Sequence, residues 1–186
     1  SGASVPYKYK GASQTEMITD SDNTDFDDGT INEWAVNTNG NGTVTYNAGP
    51  GSVKTGLITV GATPGTYTHS SLPTTEMTTF IAGKTYRITA DVYLPSANNN
   101  WTEVSIGEGS LSPAWTEVSA TDATLGTEDA WQTIERVVVP GSDVAGSILI
   151  VARSTVAGDL LYFDNVSITQ IGAVAEYDGS GVGASR

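Results

Sequence analysis

Cysteine is absent from this 186-residue chain, which excludes disulfides, thiol nucleophiles and thiolate-bound metals. Cations are scarce: eight Lys and Arg stand against 21 Asp and Glu, a formal charge of −13. Binding to a polyanion relies on cationic side chains that release condensed counterions, so neither nucleic acid nor an anionic membrane is an expected partner. The sole histidine, His69, cannot belong to a multi-histidine metal site, and a triad built on it has no nucleophile-elbow motif to support it. No stretch reaches the roughly 20 apolar residues of a membrane-spanning helix, and no basic segment followed by an apolar run opens the chain. Despite 21 glycines, neither a Gly-x-Gly-x-x-Gly nor a phosphate-loop pattern occurs. Two ligand classes survive these exclusions. They are neutral sugars and hard divalent cations, which select carboxylate and carbonyl oxygens.

What is present is the pattern of an all-β protein. Gly, Thr, Ser and Asn are abundant, and short alternating apolar runs are separated by turn pairs such as Asn39-Gly40, Asn41-Gly42 and Pro50-Gly51. The clearest strand is 84–94, with Tyr86, Ile88, Ala90, Val92 and Leu94 on one face and Arg87, Thr89, Asp91 and Tyr93 on the other. Further strands are expected at 34–38, 43–47, 57–60, 77–81, 101–106, 115–119, 131–139, 147–153 and 160–169. Short strands at regular spacing imply a two-sheet antiparallel β-sandwich of the jelly-roll kind. One hydrophobic core can serve a chain of this length. The sandwich is expected over 16–171, between an N-terminal connector, 1–15, and a Gly/Ser-rich linker, 172–186, leading to a further domain.

Three blocks carry a family resemblance. Asp25-Phe26-Asp27-Asp28-Gly29-Thr30-Ile31-Asn32-Glu33-Trp34, then Gly83-Lys84-Thr85-Tyr86-Arg87-Ile88-Thr89-Ala90-Asp91-Val92-Tyr93, and last Tyr162-Phe163-Asp164-Asn165-Val166-Ser167-Ile168 resemble the jelly-roll carbohydrate-binding modules with a galactose-binding-domain-like sandwich. The resemblance implies glycan binding without hydrolysis. It also implies a structural calcium held by the acidic residue after the Phe and by the Asp of the final strand, here Asp27 and Asp164. The segments around Val5-Pro6-Tyr7 and Ile171-Gly172-Ala173 look like connectors in bacteriophage tail and fibre proteins. An extracellular or virion-surface setting, a polysaccharide or cell-surface glycan as partner, and a monomeric isolated domain are the matching expectations.

The residues themselves add detail. No register of the acidic run from Asp20 to Asp28 meets the ligand spacing of an EF-hand. Phe163 and Val166 are natural core residues three apart, which breaks strand alternation unless a bulge at Asp164 and Asn165 intervenes and turns carbonyls outward beside the carboxylate. The alternative is a solvated acidic loop beside an ordinary turn.

Trp101-Thr102-Glu103-Val104-Ser105 and Trp115-Thr116-Glu117-Val118-Ser119 are identical pentapeptides fourteen residues apart. If Val104 and Val118 point into the core, alternation sets Trp101 and Trp115 outside it beside Glu103 and Glu117, an arrangement suited to stacking a pyranose and bonding its hydroxyls. Edge-of-core packing is the competing reading. Tyr67 and Arg153 are further glycan-contact candidates, and 95–100, with three consecutive asparagines, is a source of amide donors. Trp34 and Trp131 are expected in the core. Two other functions remain open: a glycoside hydrolase using Glu103 and Glu117 as its carboxylate pair, and a ligand-free spacer in a viral fibre.

Overall fold

Alternation at 84–94 predicts a strand with one apolar face. In the computed structural model, Thr85–Tyr93 is such a strand and buries Tyr86, Ile88, Ala90 and Val92. The structure describes residues 7–11, 15–36, 41–64, 68–109 and 115–177. In chain order its strands are β1 (Tyr7–Gly11), β2 (Ala35–Val36), β3 (Gly42–Ala48), β4 (Lys54–Val60), β5 (Ser70–Leu72) and β6 (Thr85–Tyr93). They continue with β7 (Trp101–Gly109), β8 (Thr116–Thr121), β9 (Trp131–Val139), β10 (Ser147–Ser154), β11 (Leu160–Ile171) and β12 (Ala173–Tyr177), and an α-helical turn, α1, covers Asp22–Asp25.

Two antiparallel sheets form the sandwich, with strand orders β2-β5-β10-β7 and β3-β4-β11-β6-β9-β8. The expected all-β sandwich is therefore the observed one. The ends expected as connectors carry a separate ribbon in which β1 pairs antiparallel with β12, Tyr7 opposite Tyr177. The strand expected at 77–81 is reduced to isolated bridges, Ile18 with Met77 and Phe80 with Val144. Met77 and Phe80 nonetheless reach the core at 7% and 0% exposure, so the segment supplies apolar anchors without a continuous ladder.

The first and last sequence blocks meet in that core. Phe163 packs edge-on against Phe26, with ring centres 5.3 Å apart, and against Trp34 at 5.1 Å. All three rings are buried, so Trp34 is core as expected. Such edge-to-face pairs are favoured by the ring quadrupoles and add to the large apolar area buried. The Phe163 ring fits only because residue 56 on β4 is glycine: a Cβ there would lie 2.3 Å from the ring's Cζ. Gly56→Ala is expected to cost about 1–3 kcal/mol through overpacking, checked by chemical denaturation; an unchanged midpoint would show that the ring has room to move.

The alternation break at 163–166 is resolved by the expected bulge. β11 pairs with β6 in register up to Asp164 opposite Asp91, then resumes at Ser167 opposite Thr89. Asn165 takes a left-handed φ of 49°, so Phe163 and Val166 both reach the core.

Candidate functional site

Register assigns each site candidate to a face, because directly opposed residues of an antiparallel ladder share one. On the four-stranded sheet, Ile148, Ile150 and Ala152 of β10 and Val104 and Ile106 of β7 enter the core. The alternate positions form the outer face: Leu149, Val151 and Arg153 on β10, opposed by Gly107, Ser105 and Glu103 on β7. β5 adds Ser71, opposite both Leu149 and Ala35. The bond from the Thr68 backbone N–H to the Ala152 carbonyl (2.8 Å) carries this pairing one step beyond β5 and brings His69 level with Val151.

The result is a shallow trough. Small residues, Gly107, Ser105, Ser71 and Ala35, keep its floor low, and a Cβ on Gly107 would meet Val151 Cγ2 at 2.5 Å. Leu149 and Ser105 are buried although they point away from the core. Polar groups gather at one end, where Glu103 stands opposite Arg153 and near enough to His69 to act on its charge. Burial pushes the His69 pKa below its usual 6.5, and the Glu103 carboxylate opposes that shift only in part. At neutral pH His69 is thus an uncharged imidazole with one donor and one acceptor nitrogen. The half-buried Val151, beside a carboxylate, a guanidinium and a neutral imidazole, can meet a sugar face while those groups exchange hydrogen bonds with its hydroxyls. Glu103 and Arg153 are thereby brought together as candidates, and Tyr67 lies outside the described residues.

The two tryptophans expected outside the core are inside it. Trp101 is 5% exposed and Trp115 7%, because each pentapeptide contains a ladder irregularity that alternation cannot reveal. In the first copy Arg153 pairs with Glu103 while the next residue, Ser154, pairs with Trp101, leaving Thr102 as the extra residue. Trp101 then joins Val104 in the core and donates its indole N–H to the Leu160 carbonyl at 3.0 Å. In the second copy the shift falls between Glu117 and Ser119. Val118 is extruded to 60% exposure, and Trp115 packs on Phe80 with ring centres 4.7 Å apart.

The copies also lie in different sheets, β7 in the four-stranded and β8 in the six-stranded one, so Glu103 and Glu117 are not on neighbouring strands. Glu117 instead pairs with Arg136 at 3.0 Å. Loop 95–100 likewise spends amides internally: the Asn100 backbone and side-chain N–H groups donate to Asp159, and the Asn99 amide donates to Glu128 and to the Leu125 carbonyl.

Trp131 corrects the opposite expectation. It is half-buried on the outer face of the six-stranded sheet, level with Tyr93 and Tyr162 rather than in the core, because β9 pairs it with Tyr93 on the polar face of β6. Its neighbour Gln132, opposite Val92, takes the inward position.

The carboxylates proposed for calcium present a mixed fit. Asp164 is 4% exposed, and burial, reinforced by the nearby Asp91, Asp25 and Asp27 carboxylates, raises its pKa to about 6 against a bond from the Asn165 N–H. A buried acid held partly protonated by other acids is one that a cation would relieve. A pocket of about 240 Å³, lined by Glu16, Thr24, Asp25, Asn165, Val166 and Ser167, opens beside the bulge. Asp27 fits less well. Its side chain is 78% exposed and 3.9 Å from the Lys54 ammonium, which also donates to the Asp27 carbonyl. Glu16 is occupied, accepting from the backbone of Met17, Ile18 and Ile168 and from the Ser167 hydroxyl. Among the described residues no three His, Cys, Asp or Glu converge on a common metal position, and no helix is long and apolar enough to cross a membrane.

Comparison with known proteins adds family and fold. The model of the carbohydrate binding domain matches residues 22–155. The CBM22-1 xylan-binding domain of Paenibacillus barcinonensis Xyn10C is similar at 15% identity and a TM-score of 0.56, over 81% of this chain and 94% of that one. An arabinose-bound GH51 α-L-arabinofuranosidase is similar at 13% identity and a TM-score of 0.63, over 84% of this chain but 26% of the enzyme. The enzymatically active domain of bacteriophage CBA120 tailspike protein 4 is similar at 17% identity and a TM-score of 0.55, over 83% of this chain and 22% of that one. No curated protein matches the chain in sequence.

Proposed function

The chain belongs to the carbohydrate binding domain family, and from that premise we propose that it is a non-catalytic module that holds a neutral polysaccharide on the outer face of its four-stranded sheet. The observation that supports this reading is the trough itself: Glu103, Arg153 and His69 gathered beside the half-buried Val151. The xylan-binding domain and the arabinose-bound enzyme that share this fold favour plant-type polysaccharides among the ligands to try first. The charge of −13 weighs against acidic ones. An extracellular or virion-surface setting belongs to the same proposal, supported by the fold shared with a tailspike domain.

A structural calcium at Asp164, with Asp27 as its second carboxylate, completes the proposal. It would neutralise the buried acid beside the bulge, on β11 and so in the other sheet from the trough. Binding is tested by electrophoresis through native gels containing xylan, β-glucan or mannan. Retardation in at least one gel is expected, with no reducing ends released on prolonged incubation. Unretarded migration in all three, or release of reducing ends, would contradict the proposal.

A further inference from the structure

The outer face of the six-stranded sheet carries a row of large side chains in one register line. Trp131 on β9 is opposite Tyr93 on β6, Tyr93 is opposite Tyr162 on β11, and Tyr162 is opposite Leu57 on β4. The ring centres of Trp131 and Tyr93 lie 5.5 Å apart, and those of Tyr93 and Tyr162 6.1 Å apart. All three rings are half-buried, so each keeps part of its surface in water. The row runs across the strands, one ring per strand at roughly the 5 Å interstrand spacing.

Carboxylates flank it on both sides. Asp129, on one side, accepts from the Ser96 N–H at 2.9 Å and from the Tyr93 hydroxyl at 3.4 Å. On the other side Asp91 accepts from the Thr133 hydroxyl at 2.6 Å and from the Asn165 amide at 3.0 Å.

We propose that this row is a second saccharide-binding surface, taking a neutral pyranose chain laid across the strands. Rings supply the apolar contact for sugar faces, and Asp91, Asp129 and Thr133 supply acceptors and a hydroxyl for the sugar hydroxyls along both margins. The same carboxylates repel an acidic polymer and make the ligand a neutral one. The ligand class rests on the carbohydrate reading above; the location does not, since the trough lies on the other sheet. Two faces on one small domain allow a single module to bridge neighbouring chains, so apparent affinity for a polymer would exceed that for a short oligosaccharide by avidity.

The test is calorimetry with cellohexaose, xylohexaose and mannohexaose on four proteins: the natural chain, Trp131→Ala, Tyr162→Ala, and the double variant Glu103→Gln with Arg153→Ala. The double variant is expected to keep residual binding to at least one hexasaccharide. Placed on the double-variant background, with circular-dichroism melting curves showing a folded sandwich, Trp131→Ala and Tyr162→Ala are each expected to weaken that residual binding about tenfold, and Trp131→Phe there to restore part of it. Loss of all binding in the double variant, with Trp131→Ala and Tyr162→Ala matching the natural chain, overturns the second surface and leaves the trough standing. Binding by none of the proteins overturns both. A concentration-dependent dimer in sedimentation that Trp131→Ala dissociates also overturns the proposal, because it assigns the row to self-association.

Discussion

Trp101→Ala is expected to lower stability by about 3–5 kcal/mol, the range for deleting a large aromatic from a packed core. The indole is 5% exposed and its N–H reaches the Leu160 carbonyl on β11, so it joins the edge of one sheet to the end of a strand in the other. Truncation opens a cavity at that join and leaves a partly buried carbonyl without its donor. Against a typical total of about 5–15 kcal/mol for a domain, the loss is large enough to read from urea denaturation without ambiguity. A Trp101→Ala midpoint within error of the natural protein would place the indole outside the core and undo the bulge assignment at Thr102. Val118, by contrast, is 60% exposed, and Val118→Ala is expected to change stability by no more than about 0.5 kcal/mol.

The second large effect concerns Asp164, where charge, pH and calcium are coupled. Its folded pKa of about 6 lies above the ordinary 3.8, so the fold holds this proton more tightly than the unfolded chain does. By linkage, the contribution is fully present below pH 3.8 and is lost as pH rises through about 6. In metal-free protein at pH 7, Asp164→Asn is therefore expected to melt above the natural chain, and the difference to vanish near pH 4. Excess calcium should reverse the order at pH 7, because the cation binds the ionised carboxylate of the folded state and raises stability by mass action, which an amide reproduces poorly. Identical melting curves with calcium and with chelator, on protein freed of residual metal, would remove calcium from the proposal while leaving the pH dependence intact.

Much of the fold was legible because alternation is a local property. The run from Tyr86 to Leu94 sets its own inward face, and Phe163 with Val166 demands a bulge whatever the partner strand does. The pentapeptides mark where that logic ends. Identical five-residue sequences were given one geometry by alternation, but each ladder slips at a different place, and the slip depends on the partner strands, Arg153–Ser154 in one case and β9 in the other. Trp131 departs from its expected place in the core for a related reason. Its strand begins with half-buried residues on both faces, and only pairing with Tyr93 shows which face it takes. A usable signal was already present: Tyr93 sits on the polar side of the clearest strand, and an aromatic there needs a neighbour.

The trough was half legible. Arg153 stood out as a charge ending an apolar strand, and Glu103 as a carboxylate beside it in residue type only; what unites them is the β7–β10 register, which no local pattern encodes. His69 gains its interest only once burial and Glu103 act on it together.

The claim that the four-stranded face holds the ligand is tested most directly by titrating one neutral oligosaccharide that retards the natural protein against Arg153→Ala in a calorimeter. Hydrogen bonds to a charged group contribute about 1.5–3 kcal/mol, so affinity is expected to fall roughly tenfold or more while the melting temperature holds, Arg153 being exposed. Unchanged affinity in a folded Arg153→Ala protein, together with unchanged affinity in Glu103→Gln, would contradict the assignment of the ligand to this face.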